Sequence, residues 1–285
     1  MMKILVTGFT GQLGFDVVQE GVERGFEMVG VGSKDLDITN EQIVNQYVKE
    51  FNPDAIIHCA AYTAVDKAED DQENCWNVNV NGTKYLASAA KEVNAKFMYI
   101  STDYVFDGTG EIPFVETDEP NPVGYYGRTK FEAEKLVESH ISQSFIVRIS
   151  WVFGLNGNNF VKTMLRLAES RDVLSVVGDQ VGSPTNTLDL SSLLLDMIQT
   201  DNYGIYHATN EGFCSWAEFA QEIFRLSGKP VKVNFISTEE YPTRAVRPEN
   251  SRLSKQKLVD NGFKPLPYWK ESLAQYLNAL KHEVK

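Results

Sequence analysis

The chain begins with a nearly all-apolar run, Lys3–Thr7, in which no polar residue alternates. Such a run suits a strand buried on both faces of a parallel sheet. Similar short runs recur at 26–31, 55–59, 97–101 and 145–149. Between them, apolar positions at helical spacing predict helices over 15–24, 41–50, 77–93 and 129–138. Strands alternating with helices imply βαβ units, and hence an α/β fold on a doubly wound, Rossmann-like parallel sheet.

After Trp151 the rhythm changes. Residues 154–159 read as a loop, 160–170 as a helix, 173–177 as a strand and 178–186 as a turn-rich stretch. A helix over 188–199 and a strand over 204–208 read as a return to the main sheet. Helices over 215–226, 255–261 and 267–281 follow, with a strand over 231–236. The expected organisation is a first domain over 1–154 and a smaller, interleaved α/β lobe over 155–285, with about 186–208 rejoining the sheet. No repeat, low-complexity tract or long linker is visible.

Composition narrows the function classes. The 285 residues are 42% apolar and 23% charged, ordinary for a globular protein. With 27 Lys and Arg against 39 Asp and Glu, the net charge is −12. That argues against nucleic-acid binding and against docking on an anionic membrane by charge. A small anionic ligand is still compatible, because local groups override the global field. Cys59, Cys75 and Cys214 lack zinc-ligand spacing, and a sparse odd count fits a reducing compartment. The N-terminal run is broken by Gly8, unlike a signal peptide, and no run of ~18 apolar residues follows. The expectation is a cytoplasmic protein without a nucleic-acid or membrane partner.

The candidate chemistry starts in the segment TGFTGQLG at 7–14, between the first strand and first helix. Gly8, Gly11 and Gly14, with Gln12 and Leu13, have the makings of a phosphate cradle. Glycine permits a tight turn and close backbone approach, and the helix N-terminus supplies N–H groups and a positive dipole end. An ordinary βα turn is the bland alternative. The second strand should end in the group that reads the adenosine ribose. It ends in Ser33 and Lys34 rather than an acid, which favours NADPH over NADH by offering a seat to a 2′-phosphate. Asp37 and Ile38 are candidates for the adenine edge.

A second constellation is YGRTK at 126–130, a YxxxK motif. On a helix, Tyr126 and Lys130 share a face, and a nearby ammonium lowers the phenol pKa. Thr102 stands at the end of the fourth strand, where open α/β sheets bind ligands. Trp151, just past the fifth strand, reads as either a sugar platform or a core aromatic, and Tyr104 is similar. His58 lies in a buried strand and reads as a core histidine. The acids at 69–73 read as a solvated segment.

The glycine spacing resembles the short-chain dehydrogenase/reductase superfamily. The segments AAYTAVDKAE at 60–69, NVN at 77–79, STDYVFDG at 101–108, RISWVFG at 148–154, DQVGSPT at 179–185 and RPENS at 247–251 narrow the likeness. In this order they resemble the dTDP-4-dehydrorhamnose reductase family. The resemblance implies NADPH- or NADH-dependent reduction of the C4 ketone of a nucleotide-linked 6-deoxysugar. It puts Gly8, Gly11, Gln12 and Leu13 on the cofactor pyrophosphate, and Ala60, Ala61, Tyr62 and Thr63 along the cofactor. Thr102, Tyr126 and Lys130 become the catalytic set, with Lys130 also on the nicotinamide ribose. Val65, Thr102, Asp103, Tyr104, Tyr126, Trp151 and Arg247 would meet the nucleotide sugar. Some members use magnesium at a dimer contact; Asp16 matches one such position but its partners are unmatched, so no metal residue is assigned. A homodimer stays open. Two competing readings are a nucleotide-sugar epimerase or dehydratase of the superfamily, and a non-catalytic relative such as the methionine adenosyltransferase regulatory subunit. Dehydratases carry Glu directly after Thr-Asp, where this chain has Tyr104.

Overall fold

A computed structural model describes residues 1–283. Five parallel strands come first: β1 (Lys3–Thr7), β2 (Glu27–Val31), β3 (Ala55–His58), β4 (Lys96–Thr102) and β5 (Ser144–Ile149). Short strands follow at β6 (Val152–Phe153), β7 (Val173–Val177), β8 (Val181–Gly182) and β9 (Thr185–Asn186), then β10 (Gly204–His207). The last three are β11 (Cys214–Ser215), β12 (Lys232–Ile236) and β13 (Asn250–Ser251). The helices are α1 (Gln12–Glu23), α2 (Glu41–Phe51), α3 (Val65–Ala68), α4 (Gln72–Trp76), α5 (Thr83–Glu92) and α6 (Tyr125–His140). The second half adds α7 (Phe160–Leu167), α8 (Thr187–Ile198), α9 (Trp216–Ser227), α10 (Gln256–Asp260) and α11 (Trp269–Glu283).

The main sheet has six strands in the order β10-β5-β4-β3-β1-β2. Every pairing in it is parallel. The period of two along each strand divides the core into two layers. Ile4, Val6, Ile57, Met98 and Ile100 face a layer shared with Leu13 and Val17 of α1 and Leu190 and Leu194 of α8. Leu5, Ile56, Phe97 and Tyr99 face the opposite layer with Val44, Leu86 and Ala133. Chain order reverses between β1 and β3, so a crevice opens at their carboxyl ends.

A separate core, including Phe153, Val161, Phe219, Ile223 and Trp269, belongs to the smaller lobe. There β7 pairs with β12. The turn-rich stretch 178–186 holds two strands of two residues each, β8 and β9, too short to show a period in sequence. β9 pairs with β6, and β8 lies between β11 and β13.

Three of the helical boundaries that differ from expectation shape the site. The first helix starts at Gln12, directly on the glycine turn. The helix expected over 77–93 is preceded by α4 and begins as a π-turn, Asn77–Gly82. α6 begins at Tyr125, not 129, so its first turn carries Tyr126. Gly124 offers no side-chain cap there, and Glu69 replaces one by accepting from the Tyr125 N–H at 2.8 Å. The acidic segment is thus partly structural rather than simply solvated.

Between α6 and β5 lies a buried ion pair. Arg148 donates to Glu134 at 2.9 and 2.6 Å, and the two side chains are 2% and 1% exposed. Ser101 adds a third bond to Glu134 at 2.5 Å, and Arg148 stands 5.0 Å over the Phe106 ring. Removing one partner leaves an uncompensated buried charge. Arg148→Met is expected to lower stability by about 3–5 kcal/mol in urea denaturation, and adding Glu134→Leu should recover only part of it, because Lys130 then loses a compensating charge. A single variant with wild-type stability would show the pair to be dispensable.

Candidate active site

The crevice at the strand ends is a cleft of about 830 Å³. Thr7, Gly8, Gly11, Gln12 and Leu13 form its floor. Gly8 has φ +74°, and a Cβ there would lie 2.7 Å from the Ala60 backbone nitrogen. Its carbonyl accepts from the Gly11 N–H at 2.9 Å, closing the turn. Gly11 caps α1 without any side-chain bond, so the helix N-terminus faces the cleft with free donors. Gly14 does not line the cleft; it packs against the Gly8 carbonyl.

The loop expected over 154–159 closes over this turn. Asn156 donates to the carbonyls of Thr10 and Gly11 at 3.1 and 3.0 Å. Gln12 accepts from the Gly154 N–H at 2.9 Å and from Asn159 at 3.0 Å. Gly157 and Asn158 line the cleft. The run of asparagines and glycines announced a loop but not its destination.

At the end of β2, Ser33, Asp37 and Ile38 line the cleft, but Lys34 is exposed and outside it. Asp35 is exposed and accepts from the Gly32 N–H at 2.8 Å. Ala60, Ala61, Tyr62 and Thr63 line the wall after β3. The π-turn explains their fixed course. It turns Asn79 inward, where its Oδ1 accepts from the Tyr62 N–H at 2.8 Å and its Nδ2 donates to the Tyr62 carbonyl at 3.3 Å. His58 sits behind, between the hydroxyls of Thr7 and Thr83 at 2.7 and 2.9 Å. Burial and the Lys130 charge push its pKa down to about 3, so it is a neutral core histidine.

Thr102, Tyr126 and Lys130 meet on the same cleft. Lys130 is 2% exposed, donates to the Ile100 carbonyl at 2.7 Å and stands 4.2 Å over the Tyr99 ring. Burial pulls its pKa down to about 7, with Glu134 one turn on opposing the shift. Tyr126 departs from expectation. Burial pushes its phenol above the usual range and the Asp103 charge adds to this, while a hydrogen bond with Thr102 works against it. In the ligand-free protein desolvation outweighs the Thr102 hydrogen bond, and Tyr126 is a protonated phenol.

The remaining predicted residues gather at the far end. Val65, Asp103, Tyr104 and Trp151 line the cleft. Tyr104 packs edge-on to Tyr126 with ring centroids 5.6 Å apart. Asp103 accepts from the Thr102 hydroxyl at 3.0 Å, and its carboxylate is buried. Burial raises its pKa to about 6, with Ser251 and Thr102 opposing. Trp151 has φ +49°, a conformation costing a bulky residue on the order of 1–3 kcal/mol. Arg247 does not line the cleft; it is paired with Asp66 at 2.7 Å and stands beside Tyr104. Asp16, the one residue matched to a metal position, is buried against Thr187. Among the described residues no group of three or more His, Cys, Asp and Glu is placed to hold a metal ion. None of their helices is long and apolar enough to cross a membrane.

Known proteins match this chain over most of its length. The RmlD substrate binding domain family matches residues 2–282. A dTDP-4-dehydrorhamnose reductase of Aggregatibacter actinomycetemcomitans is 44% identical over 272 residues, 90% of this chain and 92% of its own. The crystal structure of such a reductase from Clostridium acetobutylicum superposes with a TM-score of 0.96 at 46% identity, covering 98% of this chain and 100% of that one. The Bacillus anthracis reductase, solved in complex with NADP, gives a TM-score of 0.95 at 42% identity and covers 98% and 99%. The glycine turn, the strand-end threonine and the tyrosine–lysine helix therefore sit in a chain that belongs to the dTDP-4-dehydrorhamnose reductase family.

Proposed function

We propose that this protein reduces the C4 ketone of dTDP-4-dehydro-6-deoxy-L-mannose to give dTDP-L-rhamnose, using a nicotinamide cofactor. The observation that carries the reading is that Thr102, Tyr126 and Lys130 open into the same cleft as an uncapped, glycine-turned helix N-terminus. The residues present fit a dinucleotide. Free N–H groups of the first turn of α1 suit a pyrophosphate, with Gly8, Gly11, Gln12 and Leu13 beside it. Ala60 to Thr63 would run along the cofactor, Asp37 and Ile38 would meet the adenosine end, and Lys130 the nicotinamide ribose. NADPH supplies the hydride when bound.

The chain's own residues manage the proton. Burial keeps the Tyr126 phenol protonated, as a donor to the developing C4 alkoxide requires. Lys130 offsets the phenolate left behind, and its charge is favoured by the Ile100 carbonyl, the Tyr99 face and Glu134. The Thr102 hydroxyl would bond the same substrate oxygen. Val65, Asp103, Tyr104 and Trp151 would hold the sugar. NADPH rather than NADH is favoured because Ser33 lines the cleft, while the nearest acid, Asp35, is engaged by the Gly32 N–H. An acid free to bond the ribose 2′-OH would favour NADH.

The direct test follows nicotinamide absorbance on adding dTDP-4-dehydro-6-deoxy-L-mannose. Consumption is expected with that sugar, and turnover only of an unrelated ketone would overturn the assignment. Tyr126→Phe should lower kcat by about 10²–10⁴ with NADPH affinity nearly intact. Unchanged turnover would remove Tyr126 from its role. Ser33→Asp should reduce the NADPH-to-NADH ratio of kcat/KM by about tenfold or more, through repulsion of the 2′-phosphate. A ratio that stays the same would place the discrimination elsewhere. Asp103 gives a pH signature. Its folded pKa of about 6 lies above its ordinary 3.8, so its charge costs stability above about 6. Below the ordinary value it is protonated in both states and the cost vanishes. Asp103→Asn should therefore raise the Tm of the ligand-free protein at neutral pH and leave it unchanged below about pH 4. An equal change at both pH values would show packing rather than charge to be the cause.

A further inference from the structure

The motif at 179–185 and Trp216 take no part in the reaction outlined above, yet both converge on Trp151. The Trp151 and Trp216 rings are stacked, with centroids 3.7 Å apart and an interplanar angle of 15°. Phe160 tilts against the outer ring of the pair at 4.7 Å from Trp216. One face of the Trp151 indole is thus covered, while its residue still lines the cleft.

The motif builds this seat through backbone pairing. Gly182 in β8 pairs with Cys214 of β11, which leads directly into Trp216 at the start of α9. On its other side β8 pairs with Asn250 and Ser251 of β13. The Thr185 N–H donates to the Trp151 carbonyl at 3.1 Å, and the Ser150 hydroxyl to the Ser183 carbonyl at 2.8 Å. Gly182 then lies against the indole. A Cβ there would stand 2.9 and 3.0 Å from Trp151 Cε2 and Cζ2, and 2.9 Å from Ser251 Cβ. Ser251 is buried and Trp151 only partly so, so a side chain at 182 presses on the indole.

The left-handed backbone of Trp151 belongs to the same arrangement. A bulky residue adopts positive φ only when its surroundings over-determine it. Here the stack on Trp216, the carbonyl bond from Thr185 and the absence of a side chain at Gly182 jointly fix the ring. We propose that Trp216 and Gly182 are positioning residues that hold Trp151 with a single face available to the sugar of the nucleotide-sugar substrate. This rests on the reductase reading above and adds to it the origin of the sugar subsite. The aromatic face offered there suits the apolar C–H surface of a deoxysugar ring.

The test uses the full-length protein with Trp216→Leu, Trp216→Phe and Gly182→Ala. Trp216→Leu and Gly182→Ala should each raise the KM for the dTDP-4-dehydro sugar by roughly three- to tenfold, the range of one lost aromatic stack. The loss should fall more on KM than on kcat, and the Kd for NADPH should not move. Trp216→Phe, which keeps a ring, should restore most of the affinity. The excitonic circular-dichroism couplet of the stacked indoles should disappear in both Trp216 variants. Should Trp216→Leu not fold, Gly182→Ala and Trp216→Phe still decide the matter. Wild-type KM in Trp216→Leu or Gly182→Ala, or an equal loss of sugar and NADPH affinity in either, overturns the proposal alone. A wild-type protein that reduces no nucleotide sugar overturns the underlying reading and this proposal with it.

Discussion

Lys130 is an ammonium group almost wholly removed from water, and much of the surrounding architecture follows from that. Burying an unpaired charge is costly enough that a lysine would sooner lose its proton. The fold compensates from three sides. The Ile100 carbonyl at the end of β4 accepts from Nζ, the Tyr99 ring lies beneath it, and Glu134 supplies negative charge one helical turn away. Each compensating group brings its own requirement. Glu134 is itself buried and needs Arg148, which in turn lies against Phe106 and within 3.5 Å of His207. The charges so linked span α6, β4, β5 and β10, so the reacting groups are held by the same contacts that join the central strands.

The strongly periodic parts of this structure were legible in the sequence. β1 to β5 and most of the flanking helices announce themselves through apolar runs and helical spacing, because their stability comes from burying continuous faces. The glycine turn and the YxxxK pair were also legible, since both are local in sequence. What escaped was non-local or non-periodic. The two-residue strands β8 and β9 have no period to detect. The π-turn at Asn77–Gly82 depends on Asn79 finding the Tyr62 backbone, a partner in another segment. Nothing local shows that Glu69 would cap α6 across a gap of 56 residues.

The chemistry diverged from expectation for a related reason. A YxxxK spacing says that tyrosine and lysine share a helix face, and from this a lowered phenol pKa follows in water. It does not say how deeply both groups are buried. Desolvation acts on each in the direction of its neutral form, and for Tyr126 it exceeds the lowering effect of the Thr102 hydrogen bond. Lys34 and Arg247 show the converse. Their charge suggested ligand contacts, yet one lies outside the cleft and the other is neutralised by Asp66. Charge is visible in a sequence; its distance from a pocket is not.

The sixth strand of the main sheet comes from the second half of the chain. Gly204 pairs with Phe145, and α8, which just precedes that strand, covers the sheet beside α1. While the chain is being synthesised, β5 therefore leaves the ribosome as an open edge, with its outward hydrogen-bonding groups unpaired until β10 emerges. An unpaired edge recruits other chains, and long-range closure is slow. The nascent first half is thus a species that must be sheltered rather than a finished unit, and a break in the chain near 154 would leave it permanently in that state.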